Sequence, residues 1–276
     1  MPILHIFIIS ILQGITEFLP ISSSGHLLLF HSIVQQPDSL EAEQVNLLLD
    51  IAVHVGTLFA VVAYFWKDIW RMTLGCFPLM TGRWDHPDAK LNIHIVISSI
   101  PVIIAGLALH AWDPLWLRET WIVATTTIVF GALLWLSDAR SEAQRGNETM
   151  TIKDAVLIGL AQCLALIPGT SRSGITMTAS RFLGFARTEA ARYSLLLSTI
   201  AISGAGTVGA MDVAAIITPD LAKAILLAIV LSGLSAIIAI AVMMKWLEKQ
   251  SFKVFAIYRF ILGAALFVAL GMGWIA

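Results

Sequence analysis

Charged residues are scarce in this chain. They make up 13% of its 276 residues, about half the roughly 25% typical of soluble domains. An ordinary water-facing globule is excluded on that ground. The net charge is −1, so the basic footprint of a nucleic-acid binder is missing and no nucleic-acid partner is expected. Cysteine occurs only at Cys76 and Cys163. The two lie far apart, in or beside apolar stretches, which leaves little support for a disulfide or a zinc site. Lysine and arginine are absent until Lys67. The apolar N-terminal stretch thus lacks the positive start of a signal peptide, and Glu17 interrupts it.

What is abundant is long apolar sequence: 58% of residues are hydrophobic, with a mean hydropathy of +0.86. Runs at about 48–66, 93–112, 121–137, 188–210, 221–243 and 255–275 each approach the roughly 20 residues needed to cross a bilayer core. Two regions differ. Residues 3–19 run into Glu17 and Pro20, with a short apolar stretch at about 27–35 after them. Residues 155–167 run into Pro168-Gly169, with about 174–185 after them. At 1.5 Å per residue most of these pieces are too short for a core of about 30 Å. They read as two helix–loop–helix hairpins that enter the membrane and turn back. Irregular backbone at that depth requires cover by protein or a watery cavity. The expected fold is therefore an all-α polytopic membrane protein. A single integral membrane domain, 1–276, would hold six transmembrane helices plus two re-entrant hairpins.

A shift of 149 residues lays Gln162 on Gln13, and Ser171, Ser173 and Gly174 on Ser22, Ser24 and Gly25. Three crossings follow each hairpin, so the second unit is inverted relative to the first. Two units, about 1–137 and 153–276, would form the inverted repeat seen in many transporters. Basic residues set the orientation. Lys67, Arg71, Arg83 and Lys90 share one connection; Arg140, Arg145 and Lys153 another; Lys245, Lys249 and Lys253 a third. The positive-inside rule makes these three cytoplasmic. The segments 31–47, 113–120 and 211–220, with only Arg118 among them, face outward. The first hairpin then dips in from outside and the second from the cytoplasm.

The hairpin tips carry the polar chemistry. In the first, Gln13 and Glu17 share a helical face, and Pro20 stops the helix. Ser22, Ser23 and Ser24 can cap the next helix, with Gly25 giving backbone freedom, and His26 lies just inside it. In the second, Pro168-Gly169 precedes Thr170, Ser171, Arg172, Ser173 and Gly174. Helix N-termini favour anions, and the guanidinium of Arg172 matches phosphate oxygens. The serines also read as plain helix caps, and Gln13 as a stitch between helices. Glu17 with Arg172 reads as a structural ion pair as well as a site, and His26 as a core histidine. Yet ionisable groups at membrane depth default to function. Asp50 and His54, one turn apart, either share this cavity or form a structural pair. Arg259 is expected to snorkel at the cytoplasmic interface. Trp112, Trp116 and Trp121 read as an interfacial belt. His5, His31, His86, His94 and His110 show no metal-ligand spacing.

These tips resemble the bacitracin-resistance family of undecaprenyl-diphosphatases. The likeness rests on Gln13–Glu17 with Phe18-Leu19-Pro20, on Ser22-Ser23-Ser24-Gly25-His26, on Pro168 to Gly174, and on Phe255-Ala256-Ile257-Tyr258-Arg259-Phe260. It runs from about residue 5 to the C-terminus. The resemblance implies an enzyme of the bacterial inner membrane. It would cut undecaprenyl diphosphate to the monophosphate carrier of envelope synthesis and so confer bacitracin resistance. It places the family's Glu/Gln-x-x-x-Glu motif on Gln13 and Glu17, its nucleophilic serine on Ser23, its histidine on His26 and its arginine on Arg172. Gln13 leaves the pair with one carboxylate rather than two. In the scheme this implies, Ser23 attacks with His26 as its base, or His26 activates water. Glu17 orients His26 or holds one Mg²⁺ or Ca²⁺. Gln13, Ser22, Ser24, Gly25, Thr170, Ser171, Ser173 and Gly174 line the phosphate cradle. The partners are a polyprenyl diphosphate and the lipid bilayer, with a homodimer one of the assemblies allowed. The rival reading is a polyprenyl-phosphate flippase.

Overall fold

The computed structural model describes residues 3–33, 40–112, 114–141, 144–213 and 218–275. Its eleven α-helices are α1 (Ile3–Thr16), α2 (Ser23–Ile33), α3 (Leu40–Tyr64), α4 (Trp66–Met80), α5 (Pro87–Trp112), α6 (Thr120–Arg140), α7 (Ile152–Gln162), α8 (Arg172–Phe182), α9 (Arg187–Val213), α10 (Pro219–Leu247) and α11 (Lys253–Gly271). The expected multi-pass helical bundle is present. Five helices, within α3, α5, α6, α10 and α11, are long and apolar enough to cross a membrane. Helix α9, where a further crossing was expected, has 27 residues but a more polar sequence, including Ser194, Ser198, Thr199, Ser203 and Thr207. Its inner face packs on the polar tips, which explains the composition. The exposed rings of Trp112, Trp116 and Trp121 agree with an interfacial belt.

Both predicted breaks occur. Helix α1 stops at Thr16 and a turn carries Glu17 to Ile21 into α2. Helix α7 stops at Gln162, makes one 3-10 turn at Cys163–Leu166, and reaches α8 through Pro168 to Ser171. Ser22 and Ser171, 149 positions apart, have φ of 75° and 70°. They are the non-glycine residues with left-handed backbone among those described. Such geometry costs on the order of 1–3 kcal/mol and persists only where the surroundings enforce it. Helix α7 begins earlier than its apolar run because Thr151 and Asp154 form a reciprocal capping box. The connection holding Lys67 and Arg71 is not a plain loop. It folds as amphipathic α4, which exposes Trp66, Trp70 and Phe77.

The helices exchange partners between halves. Helix α1 packs on α10, and α7 on α5; α3 lies against α9 and α10, and α6 against α11. Small residues let the short helices in. A Cβ on Gly14 would stand 2.5 Å from the Ser232 carbonyl of α10, and one on Gly159 would stand 2.7 Å from the Ser98 carbonyl of α5. Such approaches are a common way for membrane helices to gain packing energy. At one end of the bundle, Asp138 accepts from Arg181 Nε at 3.1 Å, Arg187 Nε at 2.6 Å and the Phe252 amide at 3.0 Å. Arg192 binds Asp68 alongside. These pairs join α6, α8, α9, α11 and α4, and fix the frame from which the tips project.

Candidate active site

The two tips meet. Glu17, 8% exposed, lies where the chain leaves α1, and its carboxylate is the hub. Its Oε1 accepts from Arg172 Nη2 at 2.6 Å, across the gap between hairpins. Its Oε2 accepts from Gln13 Nε2 at 2.8 Å and from the Ser23 hydroxyl at 2.7 Å. His54 Nε2 of α3 stands 3.7 Å from the same oxygen. Charge-assisted bonds of this kind are about twice as strong as neutral ones. They hold hydroxyl, carboxylate and guanidinium in a line.

His26 has a different neighbourhood. Its Nδ1 lies 2.6 Å from the Ser22 carbonyl, so that nitrogen carries the proton. Its Nε2 then accepts from the Tyr258 hydroxyl at 2.5 Å, and the two rings stack. In this arrangement the Ser23 hydroxyl donates to Glu17 and His26 faces α11, so the two side chains expected to act together have different partners. The cause is geometric, since the turn after Pro20 brings Ser23 back over Glu17 while Tyr258 takes the free imidazole nitrogen.

Arg259 overturns its expected role more sharply. It is 1% exposed rather than snorkelling. All five N–H donors of its guanidinium meet backbone carbonyls. Nε binds Thr127 at 3.0 Å; Nη1 binds Thr170 at 2.9 Å and Pro20 at 3.3 Å; Nη2 binds Gly169 at 2.8 Å and Thr126 at 3.3 Å. Pro20 belongs to one tip and Gly169 and Thr170 to the other, so this one side chain clamps both. The signal in the sequence was an arginine inside an apolar span. Its nearness to the first turns of α11 hid the role.

The remaining predicted residues mostly shape the tips. The Ser171 hydroxyl caps α8 by accepting from the Gly174 amide at 3.1 Å, and Ser22 does the same for Gly25 at 3.3 Å. Ser173 donates to the Leu19 carbonyl at 3.0 Å, a second tie between tips. The buried Thr170 hydroxyl has no partner among the described residues. The side chain of Ser24 lies outside the described residues, as does Ser39. Of the weaker candidates, His54 does face the site; Thr176 and Ser194, which share a 2.7 Å bond beneath Arg172, were not foreseen.

No three His, Cys, Asp or Glu side chains converge among the described residues. Glu17 is the one carboxylate in the network, and both its oxygens are bonded, one of them to a guanidinium.

A line of hydroxyl, carboxylate and arginine across two broken helices suits group transfer to an anionic substrate, and comparison with known proteins agrees. The family model described as "Bacitracin resistance protein BacA" matches residues 6–265. The chain belongs to that family. It is 43% identical over 271 residues to the undecaprenyl-diphosphatase of Jannaschia sp. (strain CCS1), covering 97% of this chain and 98% of the relative. It is also 43% identical to that of Teredinibacter turnerae, with 98% and 100% covered. Undecaprenyl-diphosphatase 1 of Rhodospirillum rubrum is 42% identical, with 99% and 97% covered. Family membership thus spans both tips and the α11 arginine.

Proposed function

We propose that this protein hydrolyses undecaprenyl diphosphate to undecaprenyl phosphate and inorganic phosphate, recycling the lipid carrier of the bacterial envelope and thereby conferring bacitracin resistance. The observation that carries this reading is the run from Ser23 through Glu17 to Arg172, with bonds of 2.7 and 2.6 Å. Serine is a weak nucleophile unless a base adjoins it, and here the base is Glu17. Ser23 Oγ attacks the terminal phosphorus as its proton passes to Glu17 Oε2. The bond from that phosphorus to the bridging oxygen breaks, and undecaprenyl phosphate leaves. Water then cleaves the phosphoserine with Glu17 managing the proton. Arg172 turns from Glu17 to the phosphates and neutralises their charge, the main task in phosphoryl transfer. A divalent cation, Mg²⁺ or Ca²⁺, enters as part of the substrate, on the diphosphate itself, where it is commonly found.

The lipid tail has a fitting place. An apolar groove of about 590 Å³ runs between α1 and α11, past Ile8, Ile11, Ile15 and Phe255, and ends on His26 and Tyr258. We assign His26 to the bridging side of the diphosphate at the groove's inner end. Gln13, Ser22, Ser24, Gly25, Thr170, Ser171, Ser173 and Gly174 form the surrounding cradle.

We read the molecule as six crossings, α9 included, with two re-entrant hairpins in an inverted repeat. The paired left-handed serines and the exchange of α1 and α7 between halves support this. The tips then meet at depth, and the cavity opens to the outer side. Cysteines placed at Thr218 and Ser141, after replacement of Cys76 and Cys163, should be labelled from outside and from the cytoplasm respectively. Reversed labelling would sink the orientation. The flippase alternative needs tips that separate, and the clamp by Arg259 weighs against it.

The deciding assay is phosphate release from undecaprenyl or farnesyl diphosphate by purified protein in detergent. Release by wild type, with Ser23→Ala reduced about 10²-fold or more and a trapped phosphoserine at Ser23, is the expected result. Ser23→Ala at near wild-type rate would transfer the attack to water. No release, together with lipid scrambling in vesicles, would favour transport.

A further inference from the structure

His54 lies on α3, outside both hairpins and outside every motif that carries the family likeness. Its Nδ1 is 2.6 Å from the Asp50 carbonyl. A carbonyl only accepts, so Nδ1 carries a proton and Nε2 is left to face the site. Nε2 points at Glu17 Oε2 from 3.7 Å, just beyond a hydrogen bond. The His54 side chain is 34% exposed and that of Glu17 only 6%. The imidazole therefore stands at the open side of a buried carboxylate.

Charge balance gives this position a purpose. In the structure Arg172 is the cation on Glu17. A diphosphate competes for that same guanidinium. Once Arg172 turns to the phosphates, Glu17 keeps only the neutral donors Gln13 and Ser23. A buried carboxylate without a cation is strongly disfavoured. We propose that His54 is the standby partner of Glu17: it takes a second proton, at Nε2, from solvent on its exposed side, and as the imidazolium closes from 3.7 Å to hydrogen-bond distance when substrate draws Arg172 away. This rests on the reading of Glu17 as the base in hydrolysis. His54 acts through Glu17 and is a positioning residue. The charged groups around it are Glu17, Arg172 on α8 and Asp50 on its own helix. Helices α9 and α10, which pack on α3, have no charged residue between positions 193 and 211 or between 224 and 244.

The test compares His54→Leu, which fills the space without a donor, with His54→Gln, which keeps an N–H. Phosphate release from farnesyl diphosphate by the full chain in detergent gives kcat and KM separately. The Leu variant should lose about 30-fold in kcat, the scale of one charge-assisted hydrogen bond, with KM within about twofold. The Gln variant, which keeps a donor but no charge, should fall between Leu and wild type in kcat. A packing role predicts the opposite order, and equal activities of Leu and wild type, or equal losses in Leu and Gln, overturn the proposal. Should the Leu variant fail to fold, the Gln variant decides: a kcat loss of about three- to 30-fold supports the proposal, and kcat equal to wild type or a larger loss overturns it. Absence of phosphate release by wild type would instead sink the hydrolase reading, and an active Glu17→Gln would sink the assignment of the base.

Discussion

Glu17→Gln should lower kcat by roughly 10²–10⁴-fold, the range expected when a positioned general base is lost. The substitution is close to isosteric, so Gln13 and Ser23 keep a neighbour of the same shape. What disappears is the negative charge that takes the Ser23 proton. The charge that holds Arg172 disappears with it, and Arg172, with 15% of its side chain exposed, is left without its carboxylate. KM should therefore move little or fall, because the guanidinium no longer has to leave Glu17 to reach a phosphate. The check is a kcat and KM pair measured on protein that elutes as wild type in detergent. His26→Gln serves as the contrast. If His26→Gln were the more damaging of the two, with Glu17→Gln near wild type, the base would be His26 and the resting arrangement of Ser23 would not be the reactive one.

Arg259→Met should be the most destabilising single change at the site. It keeps much of the side chain's length and removes all five donors. Five carbonyls of both tips and of α6 then lose a donor inside the bundle, although Thr126 and Thr127 lie within α6 and Gly169 keeps the Thr127 hydroxyl. Each unmet buried acceptor costs about 1–3 kcal/mol, and these costs are not additive. Relaxation of the tips will recover part of the loss. A total of several kcal/mol is still large against the usual margin of about 5–15. The measurement is thermal unfolding in detergent together with phosphate release. Arg259→Lys has at most three donors and should fall between Met and wild type in both. A Met variant as stable and active as wild type would show that the tips hold together without the clamp.

Much of this architecture was legible in the sequence. Length and hydropathy located the long helices. Pro20 and Pro168-Gly169 located the two breaks, because proline disfavours helix continuation and the pieces on either side are too short to cross; Pro101 inside α5 shows that proline alone is not the signal. The 149-residue shift paired Ser22 with Ser171 before their backbones were known, and both adopt the same left-handed geometry. Sequence reasoning was weaker wherever a contact spans the chain. It placed Arg259 at an interface because position along a helix says nothing of which neighbour faces it. The family resemblance set Ser23 beside His26, whereas the turn lays the Ser23 hydroxyl on Glu17. Sequence reasoning treated the stretch around Lys67 and Arg71 as a loop because basic residues dominated the reading over the tryptophans beside them.

The sequence by itself determined that this is a membrane bundle with two polar breaks, and that these breaks carry a carboxylate, a run of serines, a histidine and an arginine. Those are local properties, set by helix-breaking residues, apolar length and the cost of ionisable groups in a bilayer. Only the tertiary structure decided the pairings: Ser23 on Glu17, Glu17 on Arg172 from 155 positions away, His26 on Tyr258 from 232 away, and Arg259 on both tips. Hydrogen-bond partners of this kind depend on how helices distant in sequence pack, and that packing fixes which side chain meets which.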